Sequence, residues 1–292
     1  MIFQLFINIM IFAAEILLIS ASIYILYIPS RFFHIAHAVT IVIAPYFVYW
    51  LVKQIGVAIG LAIPVAIGLT MVLGMLSELC VYKPLRKKGA GSMVLLIVSI
   101  GLYTILQNCV SIFWGDDAKN LRMSDVAVGH KLRDAYITDI QMVSFIVSVC
   151  LFTACILFLK YHKAGRCIRA VSSNPELSNV FGINSNKIIL WAFSIGSTLA
   201  AVAGILIAFD TGLTPTMGFN WLLYGIVVMI IGGIGSTWGL IGGAFLLAVA
   251  EHLSTYYIGS QWMDAVAYII LILFLLWKPL GFSGKQLKKV EI

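Results

Sequence analysis

Charge is what this sequence has least of. Only 11% of its 292 residues are Asp, Glu, Lys or Arg, and 61% are hydrophobic. Soluble domains carry about a quarter charged residues, so a water-soluble globular chain is excluded. No G-x-x-x-x-G-K-[ST] occurs, which excludes a nucleotide-binding loop of that type. The five cysteines (Cys80, Cys109, Cys150, Cys155, Cys167) form no C-x-x-C pair and have no His at ligand spacing. They read as small apolar packing residues in or beside apolar runs. There is no Ser-His-Asp spacing, no carboxylate pair and no metal-ligand cluster, so nothing argues for an enzyme, a bound metal or a cofactor of this chain. No Lys or Arg precedes Arg31, which removes the basic flank of a cleaved signal peptide; the first apolar run is expected to stay. No soluble domain, low-complexity linker or short-period repeat breaks residues 1–292, which read as one membrane domain.

What is present is a series of apolar runs near 5–28, 39–52, 56–77, 93–114, 141–159, 188–209, 219–234, 239–257 and 263–277. Several reach the ~20 residues that cross a hydrocarbon core. In lipid the backbone must satisfy itself, leaving helices or a closed barrel. Barrel strands alternate apolar and polar residues, whereas these runs are continuously apolar. The fold class is therefore all-α, a polytopic helical bundle of 8 or 9 spans.

The charges sort by region. Lys83 to Lys88 contains four cations and no acid. Lys160, Lys163, Arg166 and Arg169 follow the fifth run, and Lys278, Lys285, Lys288 and Lys289 crowd the end. Gly115 to Asp139 instead carries Asp116, Asp117, Asp125, Asp134 and Asp139. The positive-inside rule puts the basic regions in the cytoplasm and the acidic one outside. Counting spans outward from the middle lands every basic cluster on one side. These bases flank apolar spans without interleaved aromatics, so they do not describe a nucleic-acid surface. The front is ambiguous. Pro29 to His37 interrupts the apolar pattern, so either nine spans start outside, or 31–52 is partly re-entrant and the chain starts inside. Either way the break belongs in the bundle interior, where protein covers its backbone.

One stretch does not read as membrane. In Arg169 to Asn184, R-A-V-S-S-N-P-E-L-S-N-V-F-G-I-N, Ser173-Asn174-Pro175-Glu176 is a helix start. Ser or Asn caps, Pro tolerates the first turn, and Glu176 lies three residues after Ser173. Gly182 is a stop. The helix of about 173–182 puts Leu177, Val180 and Phe181 on one face. It is too short to span and marginal alone, so it needs a partner surface.

The tract Ile231 to Gly243 contains Gly232, Gly233, Gly235, Gly239, Gly242 and Gly243, residues that let helices touch backbone to backbone at a pore or subunit contact. Gly196, Gly204 and Ala200-Ala201 read the same way. His34 and His37 lie one turn apart at the broken segment. A metal pair lacks a third ligand; interior hydrogen bonding or a place on a translocation path fits better. Glu78, Asp210, Glu251, His252 and Asp264 lie at span ends, where snorkelling or interface contact is expected. Glu15 alone falls well inside a span, where a protonated or tilted-out side chain is expected. Trp50, Trp114, Trp191, Trp221, Trp238, Trp262 and Trp277 mostly mark span ends, as an interfacial belt does.

Taken together, G-R-C-I-R-A-V-S-S-N-P-E-L-S-N-V-F-G-I-N, G-G-I-G-S-T-W-G-L-I-G-G and K-P-L-G-F-S-G-K resemble the permease subunits of branched-chain amino acid ABC importers, the LivH-type group. Tyr82-Lys83-Pro84-Leu85-Arg86 and Ser99-Ile100-Gly101…Gln107-Asn108 fit the same pattern. The N-terminal third departs from it. Phe33-His34-Ile35-Ala36-His37-Ala38 has Ala where the family has Gly, and the first span has no glycine. The resemblance implies a type II importer-like permease of the bacterial inner membrane without its own ATPase site. Its implied partners are two cytoplasmic ATP-binding cassette subunits, a second related permease, an extracytoplasmic solute-binding protein and membrane lipid, with no nucleic acid. Asn174, Pro175, Glu176, Leu177, Val180, Phe181 and Gly182 would be the helix that couples to the ATPases. Other readings stay open at this point: import of urea or short amides by the same mechanism, an ion-coupled secondary transporter, or a membrane enzyme or scaffold.

Overall fold

The structure is a computed structural model that describes residues 2–122, 129–132 and 135–282. Asp125, Asp134, Gly284, Lys285, Lys288 and Lys289 lie outside the described residues. The helices are α1 (Ile2–Ser30), α2 (His37–Tyr49), α3 (Ile59–Ser77), α4 (Lys83–Lys87), α5 (Ser92–Trp114), α6 (Asp139–Tyr161), α7 (Lys163–Ser173), α8 (Pro175–Val180), α9 (Ser185–Thr211), α10 (Met217–Gly232), α11 (Thr237–Tyr257) and α12 (Met263–Trp277). Strands β1 (Gly129–Leu132) and β2 (Ala135–Thr138) form an antiparallel pair between α5 and α6. Among the described residues, seven helical segments are long and apolar enough to cross a membrane, α3 counted with its continuation to Lys87 and α12 with the turn from Ser260. Helices α2 and α10 are apolar but shorter.

Contacts at the loops fix which helix ends lie together. Gln4 exchanges hydrogen bonds with the backbone of Tyr136, at 3.0 and 2.7 Å. Lys119 pairs with Leu213 and places its ammonium 5.8 Å from the Tyr49 ring. Arg122 donates to the Phe209 carbonyl at 2.9 Å. The start of α1 and the far ends of α2 and α9 therefore meet the acidic Gly115–Asp139 region. At the other end, Arg31 donates to the Ser172 carbonyl, and Phe32 packs on Tyr82 near the basic α4. This resolves the ambiguity at the front: α1 starts at the acidic, outer end, and α2 is a pass in its own right.

Helix α2 has 13 residues and so is ~20 Å long, short of a ~30 Å hydrocarbon core. The non-helical Arg31–Ala36 stretch makes up the difference by climbing back from the basic end into the bundle. Ser30, Phe32, His34 and Ala36 are all buried, so protein covers this backbone as its depth requires. Its amides are used: Ala36 N–H donates to Ser99 Oγ at 3.0 Å, and His37 N–H to the His34 carbonyl at 3.1 Å.

The core forms where α1, α2 and α9 pack, and glycine sets its spacing. A Cβ at Gly204 would lie 1.8 Å from the Ile41 carbonyl oxygen, and one at Gly218 would lie 2.2 Å from that of Ala38. Helix α2 is thus gripped between α9 and α10 by direct backbone contact, the packing that a membrane favours when no hydrophobic force joins helices. By contrast α3, α5, α6 and α12 turn most of their surface outward as apolar side chains.

Two placements correct the sequence expectations. Glu78 and Glu251 do not snorkel; both are fully buried. Glu78 is ion-paired with Arg86, eight residues on, and opens a π-helical segment (Glu78–Tyr82). Glu251 faces the bundle interior from α11, with neither carboxyl oxygen hydrogen-bonded. Nor is Glu15 tilted out: it is buried, and one of its oxygens has no partner. Asp210 does keep an interfacial place, 3.5 Å from Arg122. Among the cysteines only Cys155 is buried.

Candidate functional site

The helix α8 lies at the basic end. Asn174, in extended backbone, accepts from Leu177 N–H at 2.9 Å and is the cap. Ser173 is not the cap, and the expected capping box does not form. Ser173 is the last residue of α7, and its hydroxyl turns back to the Ala170 carbonyl at 2.8 Å. The helix runs Pro175–Val180, within the expected 173–182. Gly182 ends it with φ of 81°, a left-handed conformation natural to glycine.

The apolar face of α8 is bare. Leu177 is 52% exposed, Val180 81% and Phe181 76%. Its other side is tied down. Ser185, the first residue of α9, donates its hydroxyl to the Pro175 carbonyl at 3.1 Å and its backbone N–H to Asn179 Oδ1 at 3.1 Å. Helix α7 was missed as a helix because its cations drew attention as a flank. Its signal was the spacing of Gly165, Ile168 and Val171, which form its buried face, while Lys163, Arg166 and Arg169 are exposed.

A second constellation lies at the break between α1 and α2. Tyr82 hydroxyl and Ser99 Oγ both reach His34 Nδ1, at 2.9 and 3.2 Å. His37 lies between Ser22 Oγ and Thr40 Oγ1, each 3.0 Å away. Both hydroxyls also sit within reach of helix carbonyls, Ile19 at 2.6 Å and His37 at 2.7 Å. A neutral imidazole has a single N–H, so one hydroxyl must give its proton to the ring instead of its carbonyl. The two imidazoles are 5.8 Å apart; His37 has hydroxyls on both ring nitrogens, whereas both hydroxyls at His34 lie on Nδ1. Among the described residues no group of three or more His, Cys, Asp or Glu is placed to hold a metal.

His34 and Thr40 also border a cleft of about 390 Å³ between α2, α3 and α5. Phe47, Leu76, Leu102 and Trp114 supply its apolar walls. His37 lies behind this wall, wholly buried. Sequence reasoning found the histidines but not Tyr82 or Ser99, whose partners are 48 and 65 residues away.

The glycine tract divides by role. Gly232 and Gly239 meet backbone to backbone, a Cβ on Gly239 lying 1.8 Å from the Gly232 carbonyl oxygen, and Gly243 would meet the Val228 carbonyl. Gly233 is in the turn and touches Gly281. Gly235 and Gly242 are exposed. Four of the six thus pack within the chain and two face outward.

Comparison with known proteins agrees over the whole bundle. The family described as "Branched-chain amino acid transport system / permease component" matches residues 5–275. The high-affinity branched-chain amino acid transport system permease protein BraD of Pseudomonas aeruginosa is 33% identical over 237 residues, 78% of this chain and 76% of that protein. LivH of Escherichia coli K12, of the same description, is 32% identical over 247 residues, 82% of this chain and 78% of its own length. The solved structure of PsaBC from Streptococcus pneumoniae in complex with Fab contains a chain of similar fold. Its TM-score is 0.52 at 12% identity, covering 96% of this chain and 93% of that one.

Proposed function

The chain belongs to the family of branched-chain amino acid transport system permease components, and from that premise we propose that it is the membrane-spanning subunit of an ATP-driven importer carrying branched-chain or related amino acids across the bacterial inner membrane. ATP is bound and hydrolysed by two separate cytoplasmic subunits. A second, related permease completes the passage, and an extracytoplasmic binding protein delivers the solute.

The observation that carries this reading is α8. A short capped helix presents Leu177, Val180 and Phe181 to the cytoplasm, uncovered by the rest of the described chain. Such a face suits insertion into a groove of a partner. The sequence has no nucleotide loop of the common type, so in this reading the ATP site belongs to that partner. Closure of the ATPase pair moves α8, and through α7 and α9 the bundle reorients. The apolar cleft bordered by His34 and Thr40 is the proposed passage wall. Its lining fits an aliphatic side chain better than urea or a short amide. Gly235 and Gly242 face the neighbouring permease in this arrangement.

The test is uptake of radiolabelled leucine into proteoliposomes holding the chain with its ATPases, second permease and binding protein. Uptake should require ATP and survive collapse of ion gradients by ionophores. Uptake that stops with the ionophore and proceeds without ATP would replace this reading with ion-coupled transport.

A further inference from the structure

We infer that Arg31 is a positioning residue, the strut through which displacement of α8 reaches the hydroxyl–imidazole knot beneath the cleft. This rests on the reading of α8 as the ATPase-docking element.

Arg31 is the one non-glycine residue with positive φ among the described residues, at 60°. Left-handed backbone is costly for any residue with a Cβ, and it persists where surrounding contacts hold it. Here the contact is the guanidinium, which donates to the Ser172 carbonyl. Ser172 lies in the last turn of α7, where carbonyls lack intrahelical partners and a cation is favoured. Two residues further, Asn174 caps α8. So one arm of Arg31 ends at the root of the docking helix.

The other arm is its own backbone. Arg31 N–H closes α1 on the Tyr27 carbonyl at 2.8 Å, and the chain then leaves helical geometry. Phe32 packs on Tyr82, and His34, three residues on, has its Nδ1 within hydrogen-bond reach of both the Tyr82 and Ser99 hydroxyls. Within four residues the chain thus joins the α7–α8 corner to α3, α5 and the cleft. Since 31–36 is not helical, no helix ladder spans this gap, and the Arg31 side chain bridges α1 to the corner directly. Helix α7 also packs on α1, α6 and α9, and α8 is tied through Ser185 to α9, which is locked to α2 at Gly204. Those ties move the bundle as a body; the Arg31 contact is the one made from the break itself.

The experiment uses the full transporter in proteoliposomes with Arg31→Gln, Arg31→Gly and Arg31→Lys. Three quantities are read: co-purification of the ATPase subunits, ATP hydrolysis, and solute moved per ATP. Arg31→Gln should keep the ATPases bound and hydrolysing while solute per ATP falls roughly tenfold or more, as loss of a charge-assisted hydrogen bond warrants. Arg31→Gly accepts the positive φ freely yet should fail in the same way, which separates the guanidinium from the backbone. Arg31→Lys, with one donor point in place of a fork, should fall between, roughly threefold down. A wild-type ratio in Arg31→Gln or Arg31→Gly overturns the inference, as does loss of ATPase co-purification in either. Should neither accumulate, a wild-type ratio in Arg31→Lys overturns it. The docking reading fails separately, if alanines at Leu177, Val180 and Phe181 leave co-purification intact.

Discussion

Replacing Gly204 with Ala tests the grip on α2. The new Cβ would lie 1.8 Å from the Ile41 carbonyl oxygen, where ordinary contact begins at 3.4 Å. The obstacle is backbone and cannot rotate away. Nor can α2 retreat, because its Ala38 carbonyl rests on Gly218 of α10, where a Cβ would be 2.2 Å away. Overpacking of this kind costs about 1–3 kcal/mol. Against it stands the gain of about 1 kcal/mol when Ala replaces Gly in a helix. Gly101 in α5 supplies the control: a Cβ there meets nothing within 4 Å, so Gly101→Ala collects the gain alone. The helix gain is common to both, so the two variants should differ by the overpacking cost alone, about 1–3 kcal/mol, Gly204→Ala being the weaker. Paired thermal unfolding of the purified chains in one detergent, followed by tryptophan fluorescence at one scan rate, reads the order of the midpoints. Gly204→Ala unfolding together with Gly101→Ala would refute direct backbone packing of α9 on α2.

Three further outcomes follow from the same geometry. Arg86→Gln leaves the carboxylate of Glu78 buried without its charged partner, which costs about 3–5 kcal/mol, whereas adding Glu78→Gln to it should recover most of that loss. A double-mutant cycle on thermal unfolding measures it, and a simple sum of the single effects would show that the pair is not coupled. Tyr82→Phe removes one donor to His34 and should cost about 1 kcal/mol, with Ser99 still in reach. Ser99→Ala also strands the buried Ala36 N–H and should cost more than Tyr82→Phe; a larger loss in Tyr82→Phe would contradict this geometry. Gly182→Ala places a Cβ on left-handed backbone and should loosen the end of α8 by about 1 kcal/mol, seen as faster amide exchange at Ile183. Unchanged exchange there would mean that Gly182 does not hold the stop.

The spans were legible because apolar runs of that length have one stable form in lipid. The side on which α1 starts was not. No charge flanks the first run, and the answer lay in Gln4 meeting Tyr136, more than a hundred residues away. Span-end position misjudged Glu78 and Glu251, because burial depends on what faces a side chain: Arg86 in one case, the interior of the bundle in the other. Helix α8 was readable to within two residues, since Asn, Pro and Gly punctuate it locally. Ser or Asn was readable as the cap and Asn174 fills the role, but the Ser173–Glu176 capping box does not form, as Ser173 is the end of a helix that its cations obscured. His34 and His37 were visible as an interruption, but their chemistry was not, because Ser22, Tyr82 and Ser99 arrive from three other parts of the fold.

The central claim is that separate ATPases drive this bundle by gripping α8. Alanine at Leu177, Val180 and Phe181 removes three side chains that are already more than half exposed, so the fold should stand. Docking should lose on the order of 3 kcal/mol, roughly a hundredfold in affinity. The decisive measurement is ATP-driven leucine uptake by this triple variant in proteoliposomes, beside wild type, with unfolding midpoints checked in both. Uptake and ATPase co-purification lost together at an unchanged midpoint is the predicted result; uptake at the wild-type rate would contradict the account.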